Sequence, residues 1–86
     1  MEFEFDSNKS ASNRKKHGID FIEAQTLWED PDRVVIPAKD LDENRFLLIG
    51  KIGERHWSVI YTIRSERIRL ISVRRSRKNE KEIYES

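Results

Sequence analysis

The 86-residue chain reads as a single α+β domain, residues 1–86, with N-terminal helices packed on an antiparallel β-sheet and a short C-terminal helix. Three observations predict it. Residues 45–52, 55–63 and 67–74 are apolar-rich stretches joined by tight turns at Gly53-Glu54 and Ser65-Glu66, the spacing of an antiparallel meander. Two earlier segments carry helix start and stop signals. Neither has enough apolar surface to stand alone, so both must lie on the sheet.

Taken in order, residues 2–6 alternate polar and apolar, which suits a short strand burying Phe3 and Phe5. Asp6-Ser7-Asn8 supplies side-chain oxygens for a helix N-cap. Residues 8–16 lack Pro, Gly and β-branched side chains, and their only aliphatic residue is Ala11, so they form a surface helix. Gly18 stops it from the left-handed position, with Arg14, Lys15, Lys16 and His17 in the last turn, complementing the helix dipole. Asp20 and Glu23 form an acidic capping box for a second helix. On it Phe21, Ala24, Leu27 and Trp28 share a face, and Asp30-Pro31 ends it. Residues 33–37 make a short strand whose closing proline marks a sheet edge, and 38–44 a polar loop. Residues 77–85 form the last, charged helix. The order is β-α-α-β-β-β-β-α, with the helices against one face of the sheet.

A domain of this size buries about 60–65% of its unfolded surface, leaving no room for an enclosed small-molecule cavity. The formal net charge is only +1, but residues 1–43 carry six Lys/Arg against eleven Asp/Glu, and residues 44–86 eleven against five. Either the halves attract one another on folding, or they give a basic face for nucleic acid and an acidic face for a basic partner. There is no cysteine, hence no disulfide or thiolate metal site. Apolar runs are too short to span a membrane, and the acidic start is unlike a signal peptide. These features predict a cytoplasmic protein.

Residues 64–80 are the most informative stretch. The apolar positions Ile68, Leu70, Ile71 and Val73 lie among seven basic residues. Burying this strand commits Arg64, Arg74, Arg75 and Arg77 to places near its ends, where mutual repulsion is most easily tolerated against a polyanion such as RNA or DNA. The alternative is a solvated, salt-bridged strand end, since Glu66 and Glu80 are close by.

No His/carboxylate spacing matches a metal site, and no phosphate-binding glycine loop or serine nucleophile elbow occurs. No cofactor is expected. Such parts suit acid–base and electrostatic chemistry, as in metal-free RNA cleavage, where the substrate 2′-hydroxyl is the nucleophile. His17, beside the helix-stopping Gly18, is a residue type that exchanges protons near neutral pH, or merely a cap for helix carbonyls. Tyr84 could offer a phenol near the arginines or simply pack its ring. Glu80 is a general base or the ion-pair partner of Arg74 or Arg77. Trp57 and Tyr61 share a strand face, available for base stacking or, better suited to so small a domain, for the core.

The phrase Phe5-Asp6 … Asn13-x-x-Lys16-His17-Gly18-Ile19-x-Phe21-x-x-Ala24 resembles the opening signature of the BrnT family of bacterial type II toxins. The resemblance continues through Asp30-Pro31, residues 45–50, Tyr61-Thr62-x-Arg64, residues 68–74, Glu80 and Tyr84, covering nearly the whole chain in order. Two small departures are Ser7, where the family commonly has Pro, and Phe5-Asp6, where Trp-Asp is usual. The resemblance implies a RelE-like fold and a metal-independent endoribonuclease that inhibits translation. It also implies a cognate antitoxin, BrnA-like, with a ribbon-helix-helix domain, so that DNA is met only indirectly, through the antitoxin in an autorepressing complex. Carried onto this chain, the positions matching family motifs are Lys16, His17, Arg64, Arg74, Glu80 and Tyr84, of which His17, Arg64, Arg74, Glu80 and Tyr84 are expected to be catalytic and Lys16 to bind RNA; the charge pattern adds Arg67, Arg69, Arg75 and Arg77 as expected RNA-binding positions. A non-catalytic module that only binds nucleic acid or an acidic partner is the alternative. A gyrase inhibitor on the same fold is a third. Clustering of proton-transfer groups with arginines separates the first from the second.

Overall fold

The computed structural model describes residues 2–38 and 44–86. Strand β1 (Glu2–Glu4) is followed by helix α1 (Ser7–His17), a 3-10 helix (Glu23–Glu29), strands β2 (Val34–Ala38), β3 (Arg45–Ile52), β4 (Arg55–Arg64) and β5 (Arg67–Arg75), and helix α2 (Lys78–Glu85). The five strands form one sheet in the order β1-β5-β4-β3-β2. The meander β2–β5 is antiparallel, as expected. β1 instead pairs parallel with β5, so the sheet is mixed. The expected loop beyond Ala38 falls largely on residues 39–43, outside those described.

The expected caps of α1 form. Asp6 accepts from the backbone N–H groups of Asn8 and Lys9 at 2.8 and 3.2 Å, and Gly18 closes α1 at φ +81°. The second helix departs from expectation. Asp20 accepts from the Ile22 and Glu23 N–H groups in the turn that leads into it, but the helix starts at Glu23 with Ile22 at its N-cap and no side-chain cap, so the expected capping box is not made; the segment winds as a 3-10 helix, and Phe21 lies in the turn before it. Thr26 Oγ1 takes the Glu23 carbonyl at 2.8 Å, which competes with the α-helical ladder in a run of only seven residues. Gly50 lets this helix approach β3 closely, since a Cβ there would sit 3.1 Å from Leu27 Cδ2.

One sheet face holds most of the core, while Leu47 and Ile49 are buried on the other. Leu48, Val59, Tyr61, Ile68, Leu70 and Val73 pack against Ile19, Phe21, Ala24 and Leu27. Trp57 and Tyr61 are each only 6% exposed, which settles them as core side chains. Phe3 packs edge-on against Trp28, and Phe5 against Phe21.

Helix α1 docks by hydrogen bonds rather than by apolar contact: its buried residues are Ser10 and Asn13, while Ala11 is exposed. Asn13 acts as a one-residue surrogate strand. Its amide donates to the Val73 carbonyl at 2.9 Å and accepts from the Val73 N–H at 3.1 Å, and it also donates to the Ile19 carbonyl at 2.8 Å. It thereby satisfies the β5 edge where β1 has ended. Asn13→Ala leaves those buried backbone groups unsatisfied and is expected to lower stability by about 2–3 kcal/mol, measured by urea unfolding.

The helices do not all lie on one face. Ser58, fully buried, points away from neighbouring Val59 and meets Glu80 of α2, so α2 covers one end of the second face.

Candidate nucleic-acid interface

Strand register decides which arginines meet. Arg45, Arg64, Arg67, Arg69 and Arg74 alternate with core residues and lie on the second sheet face, beside Leu47, Ile60 and Thr62. Residues 69 and 74 are an odd number apart and would fall on opposite faces of a regular strand. A β-bulge prevents this: Ile60 pairs with Ser72 and Tyr61 with Leu70, leaving Ile71 as the extra residue. The signal was legible in the core residues themselves, because Ile68 and Leu70 are followed by an odd step to Val73.

Internal acids claim several of these arginines. Arg67 Nε lies 3.7 Å from Glu2 and Arg69 3.6 Å from Glu4, across the parallel β1–β5 pairing. The acidic N-terminal half therefore does neutralise part of the basic C-terminal half. Arg75 is on the opposite, helix-bearing face, stacked 5.6 Å from the centroid of the Trp57 ring. Arg77 is the exposed N-cap residue of α2.

Arg74 is the most tightly held. Its two terminal nitrogens each donate to one oxygen of Glu80 at 2.8 Å, a bidentate fork. Glu80 is 5% exposed and also accepts from Ser58 Oγ and from the Arg77 N–H, each at 2.8 Å; Ser58 in turn meets Ser76. The Arg74 hydrogen bonds dominate, and against the opposing effect of burial they hold the Glu80 carboxyl at about 2, below its usual 4.5. Such a carboxylate is a weak base. Of the two roles considered for Glu80, ion-pair partner of Arg74 is the one its geometry matches.

Lys16 and His17 line a cleft of about 200 Å³ with Lys9, Ser12, Asn13, Ile71 and Ser72. The α1 residues are spaced i, i+3, i+4, i+7 and i+8, one helical face, and the bulge residue forms the floor. Ser72 shares its sheet face with Arg74, two residues further along and so roughly 7 Å away. His17 is exposed at the end of α1.

Tyr84 and Arg64 stand apart from this group. The Tyr84 hydroxyl donates to Asp30 Oδ2 at 2.8 Å, and it faces a cleft of about 450 Å³ that includes Glu29, Asp30 and Asp32. Burial, followed by the Asp30 hydrogen bond and charge, pushes the phenol up to about 12. Arg64 ends β4 beside the Ser65-Glu66 turn, whose two residues both have positive φ. Six residues separate it from Ser58, the register partner of Arg74, which is roughly 20 Å along the strand. The structure thus pairs Arg74 with Glu80, sets Lys16 and His17 around a separate cleft that reaches Ser72, two residues from Arg74, and leaves Arg64 at the far end of β4. Among the described residues, no three His, Cys, Asp or Glu side chains converge as a metal-binding group.

The chain is a small α+β domain with a mixed five-stranded sheet, whose second face carries arginines and is covered at one end by α2. The family model for the ribonuclease toxin BrnT of type II toxin–antitoxin systems matches residues 5–80. The chain belongs to this family of toxins, which implies an antitoxin partner. A search of curated proteins finds no match. No helix among the described residues is long and apolar enough to cross a membrane.

Proposed function

We propose that this toxin is a metal-independent endoribonuclease of RelE-like type, cutting RNA with the substrate 2′-hydroxyl as nucleophile and so inhibiting translation. The observation that carries this reading is the fork-held Arg74 beside the Lys16–His17 cleft on an open sheet face. An RNA strand laid along that face meets a fixed guanidinium at one phosphate. His17 stands within reach of the neighbouring ribose. Neutral His17 takes the proton from the 2′-hydroxyl, and the oxygen attacks the adjacent phosphorus. Arg74 and Lys16 stabilise the charge that develops on the phosphorane oxygens. The bond from phosphorus to the 5′-oxygen breaks and that oxygen takes a proton from water, giving a 2′,3′-cyclic phosphate and a 5′-hydroxyl, while protonated His17 returns its proton to solvent. Glu80 acts by orienting Arg74. Arg64, Arg69 and Arg77 contact phosphates further along the strand. Arg67 is the most distant, and Arg75, stacked on Trp57, reaches RNA only around the sheet edge. A BrnA-like ribbon-helix-helix antitoxin covers the same arginine-lined face, neutralising the toxin, and carries it to DNA only through its own domain.

Purified protein incubated with RNA should cleave equally well with and without EDTA, leaving cyclic or 3′-phosphate ends. In the same assay His17→Gln should lower the rate about 10²–10⁴-fold with an unchanged melting temperature. Products ending in 3′-hydroxyls, or activity lost to the chelator, would overturn the mechanism. Tight RNA binding without scission would favour the non-catalytic module, a reading supported by the engagement of both Glu80 and Tyr84 in internal hydrogen bonds.

A further inference from the structure

Helix α2 is eight residues long and brings almost no apolar anchor: Ile83 is 37% exposed. A helix so short is not stable on its own, and polar contacts hold it at both ends. At the N-terminal end they are the Glu80 hydrogen bonds to Arg74, Ser58 and the Arg77 N–H. At the C-terminal end the Tyr84 hydroxyl meets Asp30, His56 Nε2 lies 2.7 Å from Glu85 Oε2, and the His56 ring packs edge-on against Tyr84 at 5.1 Å. Asp30 sits outside the arginine face, yet it is a hub. One oxygen accepts from the Asp32 N–H at 2.9 Å, and the other from both the Lys51 N–H and Tyr84 at 2.8 Å. It joins the end of the 3-10 helix, β3 and α2.

We infer that Asp30 and Tyr84 form a latch that positions Arg74 from a distance, by docking α2 so that Glu80 can hold the guanidinium, and that Tyr84 is a positioning residue and not a proton donor to RNA. The inference rests on the reading of Arg74 as the phosphate-directed group. Its geometry runs through one rigid helix. Glu80 and Tyr84 are four residues apart and therefore on the same side of α2. Releasing the Tyr84 end frees the helix to tilt about Glu80, and the fork to Arg74 loses its fixed orientation. The direction of the Tyr84 hydroxyl agrees with this role, since it points at the Asp30 carboxylate, near Asp32, Arg33 and Lys51, and not toward Arg74 and the other arginines of the second sheet face. A phenol whose hydroxyl proton is already donated to a carboxylate is poorly placed to give it to a phosphodiester.

Tyr84→Phe deletes only the hydroxyl and is the primary test; Asp30→Asn is its counterpart. The readouts are amide hydrogen exchange of α2, the pH midpoint of Glu80 followed by carboxyl-carbon NMR, and kcat, KM and pH profile for RNA cleavage. The expected result is faster exchange across residues 78–85 and a raised Glu80 midpoint. A fall in kcat of about tenfold with an unaltered pH profile should accompany them. The double variant should be no worse than either single one. Two outcomes overturn the latch: a loss beyond a thousandfold with a changed pH profile and intact α2 protection makes Tyr84 catalytic, and unchanged exchange with unchanged turnover removes any role. Exchange and the Glu80 midpoint are read without RNA, so the latch is decided even if the chain proves not to cut it.

Discussion

Arg74→Ala should abolish most RNA cleavage and, unlike a simple surface change, also weaken the fold. Removing a preorganised donor aimed at developing phosphorane charge costs about 2–4 kcal/mol of transition-state stabilisation, roughly 30- to 900-fold in rate. Arg74 contributes nothing to the apolar core, yet folding depends on it. Without Arg74 the carboxylate of Glu80 is left almost fully buried with its strongest partner gone. Deleting one member of a buried pair typically costs about 3–5 kcal/mol; Arg74 keeps partial solvent access, with 24% of its side chain exposed, so about 2–3 kcal/mol is expected. In a domain of this length that lowers the melting temperature by roughly 10–20 °C. Adding Glu80→Gln to Arg74→Ala removes the stranded charge and should recover much of the stability while leaving the rate low. If the double variant regains cleavage together with its melting temperature, Arg74 is structural only.

Acid should weaken the protein largely through Glu80. Its carboxyl is held at about 2 in the folded state against 4.5 ordinarily, so the folded state binds this proton less readily than the unfolded chain. The stabilisation is therefore fully present above about pH 4.5, declines as pH falls through the carboxylate range, and is gone once pH drops below the folded value. The shift corresponds to about 3 kcal/mol. Urea unfolding at several pH values should show wild type well above Glu80→Gln at pH 7 and the two converging toward pH 2. A gap that stays constant across that range would mean that Glu80 is not ionised against Arg74. Other carboxylates titrate in the same window, but they do so in both proteins, and the difference isolates Glu80.

These two expectations turn on the same pair, which sequence left ambiguous. Glu80 could serve Arg74, Arg77 or a reaction, and only the bulge in β5 together with the docking of α2 decides that it faces Arg74. The family resemblance covered Lys16, His17, Arg64, Arg74, Glu80 and Tyr84 with equal weight. Three-dimensional placement does not treat them equally: Lys16 and His17 open a cleft on the side of Ser72, Arg64 lies at the far end of its strand, and Tyr84 turns to Asp30.

What the sequence determined by itself is whatever depends on neighbours along the chain. The Asp6 cap, the left-handed stop at Gly18, the Asp20 turn and the meander of β3, β4 and β5 are all set by side chains a few residues apart, where local hydrogen bonding and the two-residue period act directly. The burial of Trp57 and Tyr61 followed from the smallness of the core. What only tertiary structure decided are contacts between residues distant in sequence. Asn13 completing the edge at Val73, β1 running parallel to β5 with Glu2 and Glu4 against Arg67 and Arg69, and Asp30 receiving Tyr84 across 54 positions are pairings of this kind. Each joins polar groups whose partners local pattern cannot specify. A hydrogen bond or ion pair is chosen by what the folded chain brings within 3 Å, whereas an apolar residue needs only the correct face.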